Sequence, residues 1–508
     1  MGIPYYFYSL TQKYNNILVN TNTILNIHSD LLCLDYNGII HTVVQECIKK
    51  GMIDETKFIH TIWEKTMSYL SLLKPKDLLI CIDGVAPLAK MAQQRKRRYL
   101  SVLKNKIDNV ETKWDTNAIT TGTDFMNKLN TYIKTKVKYN TLDTNITFSG
   151  CDENGEGEHK IFHKIGLFNT ESKNILIHGL DADLIILSLM SHKQNIYLMR
   201  ENLEQYTYLN INELRKAIIN ELIIMWNLQH SKYEDIYSKD SQELIESYCV
   251  MCSILGNDFI PHLSTVNIKT DGMDKLMKCT KTSINNHNML IINGAINHEC
   301  LTNIFIELSK NEDNDMHTEC EKYIKKGLHN TTENPSDLYA IKHKDPLLHL
   351  IYNNPTKWRQ EYYKSLFGTN ITHCSLVVSQ ACENFVKGIY WTYAYYKKYD
   401  IDHLWYYPYT YAPTIKDIGN YCIVNKKTEI LKIADYVPNN VQLLIVLPKE
   451  SKHLLNDKCK KYMEDLKFGL YHMYPDKYRV QTFLKTHLWE CSPILPTINI
   501  SYIIKLLL

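Results

Sequence analysis

The 508-residue sequence lacks any long hydrophobic run and any strong excess of one charge. Its longest apolar stretches, near residues 184–190 and 443–447, are far shorter than the about 20 residues that a membrane helix needs, so we expect no membrane association. The N-terminus has no basic stretch followed by an apolar core, which argues against a signal peptide. A formal net charge of +3 is too small to indicate nucleic-acid binding by itself, so any such site must depend on a local patch.

The fourteen cysteines lack the spacing of a zinc site or of a disulfide framework. Cys249 and Cys252 form a CxxC pair with no second pair to complete a zinc site. Others, such as Cys33 and Cys81, lie inside apolar runs, as reduced core thiols do. This usage favours a cytoplasmic location, and a nuclear or viral-particle location is also compatible with it.

Changes of sequence pattern divide the chain into three parts. Up to about residue 265, strand-like apolar runs alternate with helical patterns, including 53–73 and 241–255, which predicts an α/β fold with a mainly parallel sheet flanked by helices. Residues 266–373 are more polar and are interpreted as a connector with surface helices. Residues 374–508 form a helical and aromatic block, predicted to be a second region packed against the first.

Acidic residues in the first half of the chain predict one site. Asp35, Asp83 and Asp181 each follow a short apolar, strand-like run. In an open α/β sheet, the carboxyl ends of the strands meet at one crevice, so these side chains should converge there. The complete candidate set is Asp35, Asp83, Glu156, Glu158, Asp181, Asp183 and Asp258.

Such a cluster needs neutralising cations. Carboxylates a few ångströms apart raise one another's pKa, and hard divalent cations prefer oxygen ligands of this kind. The set therefore indicates a phosphodiester site with two Mg²⁺ ions, or Mn²⁺ in their place. A single Asp after a strand is more often a helix cap or a turn residue, but seven acids in this pattern are hard to explain as caps.

A basic segment follows Asp83 directly. Pro87 suits the first turn of a helix, and the side chains at i, i+4, i+7 and i+8 then share one face. These four residues are Lys90, Gln94, Arg97 and Arg98. Arg binds phosphate oxygens bidentately and Lys binds them as a point charge, so this face predicts a phosphate pocket. The alternatives are a solvated basic helix and a nuclear localisation run.

Several longer motifs point to one family. They are Met1–Pro4 (MGIP), 34–41 (LDYNGIIH), 84–95 (GVAPLAKMAQQR), 155–160 (GEGEHK), 179–185 (GLDADLI), 256–262 (GNDFIPH) and 405–413 (WYYPYTYAP). In this order they closely resemble the XRN family of 5′→3′ exoribonucleases, and the resemblance extends over nearly the whole chain.

The resemblance implies a fold and a site. The fold would be a PIN-like, flap-endonuclease-like sheet domain, here 1–265, with the second conserved region, 374–508, closing the active site. The seven acids would hold the two metal ions. Lys90, Gln94, Arg97 and Arg98 would grip a 5′-monophosphate and leave no room for a cap or a triphosphate. His41 matches the residue that stacks on the terminal base. Trp405 is a candidate stacking partner, with a core position as the alternative.

The function implied is degradation of 5′-monophosphorylated, decapped single-stranded RNA to 5′-mononucleotides. The alternatives are a structure-specific 5′ flap DNA nuclease and an inactive protein that binds RNA 5′ ends. Tyr8 and Ser9 replace the residues usual after the opening motif, which leaves substrate contacts there in question. The sequence has no extension of the kind with which larger members would dock to decapping partners, so we expect no such docking tail.

Overall fold

The computed structural model describes residues 5–27, 29–168, 173–202, 205–284, 288–326, 334–371, 375–397, 401–426 and 434–507. The opening motif Met1–Pro4 lies outside these ranges. The strands of the main sheet are β1 (Leu18–Val19), β2 (Leu31–Asp35), β3 (Asp77–Cys81), β4 (Asn145–Ser149), β5 (Ile175–His178), β6 (Ile196–Asn202) and β7 (Gln205–Asn210).

The predicted mainly parallel sheet is confirmed. Its strand order is β1-β7-β6-β5-β2-β3-β4. Strands β2 to β6 run parallel, whereas β7 and β1 complete one edge in antiparallel pairs. The central strands β2, β3 and β5 are buried almost throughout, because helices cover both faces of a parallel sheet and such strands are continuous apolar runs.

Helices of the first half flank this sheet. They are α1 (Tyr6–Lys13), α2 (Thr21–Ile27), α3 (Tyr36–Lys49), α4 (Glu55–Leu73), α5 (Leu88–Ile107), α6 (Asp124–Lys138), α7 (Gly157–Leu167), α8 (Asp183–Met190), α9 (Ile211–Trp226) and α10 (Lys239–Ile254). The helices predicted at 53–73 and 241–255 correspond to α4 and α10. Helix α4 begins where the Asp54 side chain accepts hydrogen bonds from the backbone N–H groups of Thr56 and Lys57, a favourable N-cap.

The second half is mostly helical. Its helices are α11 (Gly272–Lys281), α12 (His298–Ser309), α13 (Glu312–Lys325), α14 (Tyr339–Lys342), α15 (Leu347–Asn353), α16 (Trp358–Phe367), α17 (Leu376–Lys397), α18 (Ile415–Val424), α19 (Asn439–Val446), α20 (Asp457–Glu464) and α21 (Ile500–Leu507). Two short antiparallel sheets pair β8 (Ile291–Ile292) with β9 (Ala295–Ile296) and β10 (Val480–Gln481) with β11 (Ser492–Pro493).

The stretch 266–373 is packed more deeply than its polar composition indicated. Ile304 and Phe305 of α12, and Tyr362 and Tyr363 of α16, are fully buried in the same core cluster as Ile177 of the central strand β5. The polar residues lie on the other faces of these helices, because an amphipathic helix needs only one apolar stripe to join a core. These helices are therefore core elements, and the domain boundaries near 265 and 373 stay predictions.

The structure bears on two features that the sequence lacks, a membrane-spanning helix and a metal-binding set of cysteines. No helix in the part of the chain that the structure describes is long and apolar enough to cross a bilayer. The cysteines within those ranges are free. Burial raises the pKa of both Cys249 and Cys252, which disfavours the thiolate form that binds metals.

A buried charge network joins α10 to α17 and to the loop after α8. The carboxylate of Glu246 accepts hydrogen bonds from Tyr393 Oη and Lys397 Nζ, both at 2.6 Å, and lies 2.7 Å from His192 Nε2. Although burial opposes ionisation, these partners lower the pKa of Glu246 to about 2. The network therefore ties the sheet domain to the long helix of the second region.

We expect Glu246→Gln to lower the free energy of unfolding at pH 7 by about 3–5 kcal/mol, because a buried charge network loses its anion. The depressed pKa makes this contribution present above the unfolded carboxyl pKa of about 4.3 and lost as the pH falls toward 2. Urea unfolding at pH 7 and at pH 3 measures both effects. Asp240→Asn, at an exposed position of the same helix, is the control, and an equal loss in the two variants contradicts the assignment.

Candidate active site

The parallel strands bring the predicted acids to one edge of the sheet. Asp35 is the last residue of β2, Asp83 follows β3 by two residues and Asp181 follows β5 by three. Glu156 and Glu158 lie at the N-terminus of α7, and Asp183 begins α8. Because β2 pairs with both β3 and β5 in parallel, these chain ends lie side by side.

One cavity of about 520 Å³ combines the acids with the basic face. Five of the seven acids line it: Asp35, Asp83, Glu156, Glu158 and Asp181. The same cavity is lined by Lys90, Gln94, Arg97, Arg98 and His41. Among the described residues, Asp183 and Asp258 are not part of its lining. Both belong to the cluster through buried contacts described below.

A close approach at Gly157 holds two of the acids together. A Cβ at this position would lie 3.1 Å from Asp35 Oδ1 and 3.2 Å from Asp83 Oδ1, tighter than ordinary van der Waals contact. With no side chain there, the Gly157 N–H donates to Asp83 Oδ1 at 2.6 Å. The Asp83 N–H in turn donates to Asn37 Oδ1 at 3.0 Å, which links the ends of β2 and β3.

The electrostatics favour bound cations. Burial, and then the charges of Asp83 and Asp181, raise the pKa of Asp35 well above its usual range. Burial and Glu156 raise the pKa of Asp83 to about 6, and burial and Asp258 raise that of Asp183 to about 7. Proton uptake is one way to relieve such repulsion, and a divalent cation is the other.

The donors suit a hard cation. Ligand atoms of Glu156, Glu158 and His159 lie within 4.8 Å of one another, close enough to share one ion. The ring of His159 stacks on Tyr395 with the centroids 3.8 Å apart. His159 is a candidate ligand that the carboxylate pattern did not include, although it stands inside the GEGEHK motif.

Lys90 contacts the acidic cluster directly. Its Nζ lies 2.5 Å from Glu156 Oε2 and 3.0 Å from Asp258 Oδ2. Burial opposes the ammonium charge, but these two carboxylates raise the pKa of Lys90 well above its usual range. Its ammonium therefore neutralises part of the acidic cluster in this structure.

Two tyrosines of α17 donate hydrogen bonds to two of the acids. Tyr395 Oη donates to Glu156 Oε1 at 2.6 Å, and Tyr396 Oη donates to Asp183 Oδ1 at 3.1 Å. Both rings are buried. The second region thus fixes the orientation of two carboxylates in the first, a contact that no sequence motif indicated because it joins residues more than 200 positions apart.

The basic wall is built on α5, which begins directly after Pro87. Arg98 Nη2 donates to Thr120 Oγ1 at 2.8 Å, whereas its Nη1 is buried without an acceptor among the described residues. Burial, and then the neighbouring charge of Arg97, lower the pKa of Arg98 to about 10. An anion at this wall would satisfy the unpaired donor and relieve the repulsion.

The two predicted stacking residues differ in position. His41 lines the cavity from α3 with an exposed side chain, and partial desolvation together with the charges of Arg97 and Arg98 lowers its pKa. Its ring is therefore neutral at pH 7. Trp405 is only 6% exposed and packs in the core, with its ring centroid 5.2 Å from that of Trp391. The structure thus places Trp405 in the alternative core position, because its large apolar ring fills space beside α17.

Sequence reasoning missed a further part of the wall. A short 3₁₀ turn, Thr116–Ala118, and the residues after it as far as Thr121 line the cavity. So does Gln442 of α19, whose Oε1 accepts a 2.9 Å hydrogen bond from the Ala86 N–H. Neither segment carries a recognisable motif. Gln442 shows that the second region contributes to the cavity wall.

Comparison with known proteins agrees with this architecture. Residues 1–202 match the family described as "XRN 5′-3′ exonuclease N-terminus". Residues 238–345 and 351–506 match the family described as "Xrn1 helical domain". The first of these is a PIN-like domain, so the predicted PIN-like sheet with a helical second region is confirmed.

Curated relatives match over nearly the whole chain. The 5′-3′ exoribonuclease 1 of Homo sapiens is 27% identical over 98% of this chain and 33% of its own length. That of Schizosaccharomyces pombe is 24% identical over 98% of this chain and 48% of its own length. The 5′-3′ exoribonuclease 2 of Gallus gallus is 23% identical over 98% of this chain and 69% of its own length. The chain thus spans between a third and a half of the two exoribonuclease 1 relatives. On both matches together, the chain belongs to the XRN 5′-3′ exonuclease family.

Proposed function

We propose that this protein is a metal-dependent 5′→3′ exoribonuclease that removes 5′-mononucleotides from single-stranded RNA bearing a 5′-monophosphate. The observation that carries the proposal is the single cavity in which five acids face the basic wall of α5. Acids alone would suit many phosphodiesterases. The adjoining anion site is what favours a substrate held by its phosphorylated end.

The acids would hold two Mg²⁺ ions, or Mn²⁺. Asp35, Asp83, Glu156, Glu158 and Asp181 present oxygen donors to the cavity, and Asp183 and Asp258 complete the set at its base. Bound cations would supply Lewis-acid chemistry, which lowers the pKa of an attacking water and stabilises charge on a leaving 3′ oxygen. Tyr395 and Tyr396 orient Glu156 and Asp183 for this task.

The basic wall would bind the terminal phosphate. Arg98 has a buried donor with no acceptor among the described residues, and Arg97 and Gln94 lie within about one turn of it on α5. Lys90 lies between this wall and the acids, so it can contact a phosphate near the cations. A terminal phosphate held here places the first phosphodiester bond toward the acids, and cleavage there releases a mononucleotide.

His41 would hold the terminal base. Every base has a π face, so stacking is tolerant of sequence and contributes about 1–3 kcal/mol per base. The neutral ring also avoids adding a third positive charge beside Arg97 and Arg98. This arrangement supports repeated removal of any nucleotide from the same end.

One observation favours a second candidate, an inactive protein that binds RNA 5′ ends. Lys90 already bridges Glu156 and Asp258, so a structure in which this ammonium permanently replaces a cation would bind phosphate and not cleave. The presence of all seven acids favours the enzyme, and the two candidates differ in their need for divalent cations.

Digestion of 3′-labelled single-stranded RNA tests the proposal. With Mg²⁺, we expect RNA with a 5′-monophosphate to be degraded at least roughly 10-fold faster than RNA with a 5′-hydroxyl, since hydrogen bonds from Arg to an anion contribute about 1.5–3 kcal/mol. Chelation of the metal should stop the reaction, and 5′-triphosphate RNA should resist it.

Matched DNA substrates complete the assay. Binding of monophosphorylated RNA without cleavage, with Mg²⁺ or Mn²⁺ present, would assign the protein to the inactive class. Equal cutting of a flapped DNA duplex would assign it to the flap nucleases. Either outcome contradicts the proposed activity.

A further inference from the structure

A second surface combines exposed aromatic rings with lysines, outside the cavity described above. We call it the α1 platform, and it consists of Tyr5, Tyr8, Lys269, Lys326, Lys485, His487 and Trp489. Several of these residues line an open groove of about 540 Å³ beside the start of α1. Among the described residues, none of the seven lines the active-site cavity.

Its aromatic rings face solvent. Tyr5, Tyr8 and Trp489 are 42%, 63% and 47% exposed, although large rings of this kind are usually buried. The centroids of Tyr5 and Trp489 lie 6.2 Å apart, and the His487 ring lies 5.9 Å from Trp489 with the two planes only 8° from parallel. The rings therefore present several π faces within one patch.

Lysines surround these rings. Lys269 Nζ lies 4.5 Å from the centroid of Tyr5 and 5.4 Å from that of Trp489, and it pairs with Glu490. Lys326 donates to Thr486 Oγ1 at 2.9 Å, and Lys485 Nζ lies 3.3 Å from His262 Nε2. Within the described ranges, no carboxylate forms an ion pair with Lys326 or Lys485.

The cations repel one another. Partial burial, followed by the charges of Lys326 and Lys485, lowers the pKa of Lys269 to about 8. Against these three ammonium groups stand Glu490, which pairs with Lys269, and Asp337, whose charge acts on His487. The patch therefore has an excess of positive charge that an anion would neutralise, even though the whole chain is nearly neutral.

The backbone of the platform is strained at two positions. Tyr5 has a φ of 63° and Leu484 a φ of 53°, left-handed values that a bulky residue rarely adopts. Tyr5 stands directly before α1, and Leu484 directly precedes Lys485. Strain of this kind persists only where the surrounding structure enforces it, and it clusters at binding sites.

The platform is connected to the active-site acids. Lys485 contacts His262, whose backbone packs against Gly256 in the loop that carries Asp258. In α1, the ring centroid of Phe7 lies 4.1 Å from the guanidinium of Arg200. Arg200 in turn interacts electrostatically with Asp181. Lys485 therefore links the platform to the loop that carries Asp258, and α1, which follows Tyr5, packs beside Arg200.

We propose that the α1 platform binds single-stranded RNA by stacking bases on Tyr8 and Trp489 and by pairing phosphates with Lys326 and Lys485. This inference rests on the proposed function for its physiological substrate. An RNA strand suits the patch because stacking rings and lysines together match its bases and phosphates, whereas an acidic protein would use the lysines and leave the rings unused. The platform would hold the strand beyond the terminal nucleotide and retain it between cleavage steps.

Binding to the full chain, with metal chelated so that no cleavage occurs, tests the platform. Two fluorescent RNA probes separate the sites: a 5′-hydroxyl oligouridine of roughly 20 nucleotides for the platform, and a 5′-monophosphorylated oligouridine of about 4 nucleotides for the cavity. We expect the double variant Tyr8→Ala, Trp489→Ala to bind the long probe at least roughly 10-fold more weakly, with less than about a 2-fold change for the short one.

Two further variants control for folding and for chemistry. Tyr139→Ala removes a ring that is 69% exposed and lies beside Lys138, so it reproduces the loss of an exposed Lys–Tyr pair elsewhere and should bind both probes normally. Tyr8→Phe with Trp489→Phe keeps the π faces and should retain binding of the long probe. Loss in both the Ala and the Phe double variants, with normal melting, would overturn the stacking role.

The remaining outcomes distinguish the two proposals. If the wild type binds the short phosphorylated probe but not the long one, the platform is wrong and the proposed function stands. If the long probe binds through Tyr8 and Trp489 while the short probe does not bind, the platform stands and the phosphate pocket fails. If polyglutamate binds through Lys326 and Lys485 and the ring variants bind RNA normally, the patch is a surface for an acidic protein and the inference is wrong.

Discussion

Asp181→Ala removes RNA cleavage, by roughly 10³-fold or more, and leaves binding of the RNA 5′ end measurable. Asp181 lines the cavity beside Asp35, so its loss takes one anionic donor from the proposed metal site. A cation that stabilises transition-state charge supplies several kcal/mol, and each 1.36 kcal/mol is a factor of about ten in rate. The basic wall on α5 is untouched, so the RNA end still binds.

Single-turnover digestion gives the rate, and fluorescence anisotropy with chelated metal gives the affinity. Asp152→Ala is the matched control, because Asp152 follows the parallel strand β4 as Asp181 follows β5, but its side chain is 55% exposed and pairs with Lys134. A melting curve gives an independent readout: Mg²⁺ should raise the melting temperature of the wild type more than that of Asp181→Ala, since a ligand bound only by the folded state stabilises it. Normal turnover in Asp181→Ala would remove this residue from the site.

Arg97→Ala reduces the preference for 5′-monophosphate over 5′-hydroxyl RNA by about 10- to 100-fold. A hydrogen bond to a charged group contributes about 1.5–3 kcal/mol, and a bidentate guanidinium–phosphate pair can make two of them. The rate on 5′-hydroxyl RNA should change much less, because Arg97 is exposed to the cavity and acts on Asp181 and Asp258 through its charge, not through a described hydrogen bond. The variant therefore lowers selectivity and leaves the chemistry intact.

The ratio of the two single-turnover rates, measured with 5′-monophosphate and 5′-hydroxyl RNA of the same sequence, is the quantity to compare. Lys104→Ala removes an exposed cation from the same helix, two turns beyond Arg97 and outside the cavity lining, and should keep the full ratio. If Arg97→Ala also keeps it, phosphate recognition depends on Lys90, Gln94 and Arg98 without Arg97. If Lys104→Ala loses it, the effect is general electrostatics and not a pocket.

The positions that sequence reasoning placed well share a physical cause. Asp35, Asp83 and Asp181 stand at the ends of continuous apolar runs, and parallel strands bring such ends to one edge whatever the details of packing. Gln94, Arg97 and Arg98 follow the 3.6-residue period of a helix that begins directly after Pro87. Both rules are local, so the sequence of a single segment is enough to apply them.

The errors and omissions concern contacts between distant segments. The sequence left Trp405 either beside the base or in the core, because its environment depends on Trp391 and Gly388 in α17, which the WYYPYTYAP motif does not reveal. The helices between 266 and 373 were expected at the surface, because their polar faces dominate the composition and one apolar stripe is enough to bury them. No recognisable motif includes Tyr395, Tyr396 or Gln442, so the sequence did not indicate their contacts with the site.

The sequence by itself determined the family, through its motifs, and the mainly parallel sheet, through its periodicity. It also predicted the acids and the basic residues of α5, most of which the structure brings to one cavity, because strand ends and helical spacing are local features. Only the tertiary structure decided that Lys90 bridges Glu156 and Asp258, that two tyrosines of α17 hold the carboxylates, and that Trp489 meets Tyr5 nearly 500 residues away in the chain. Burial makes such contacts strong, and burial depends on how whole segments pack. No pattern within one segment records what the opposite segment presents to it.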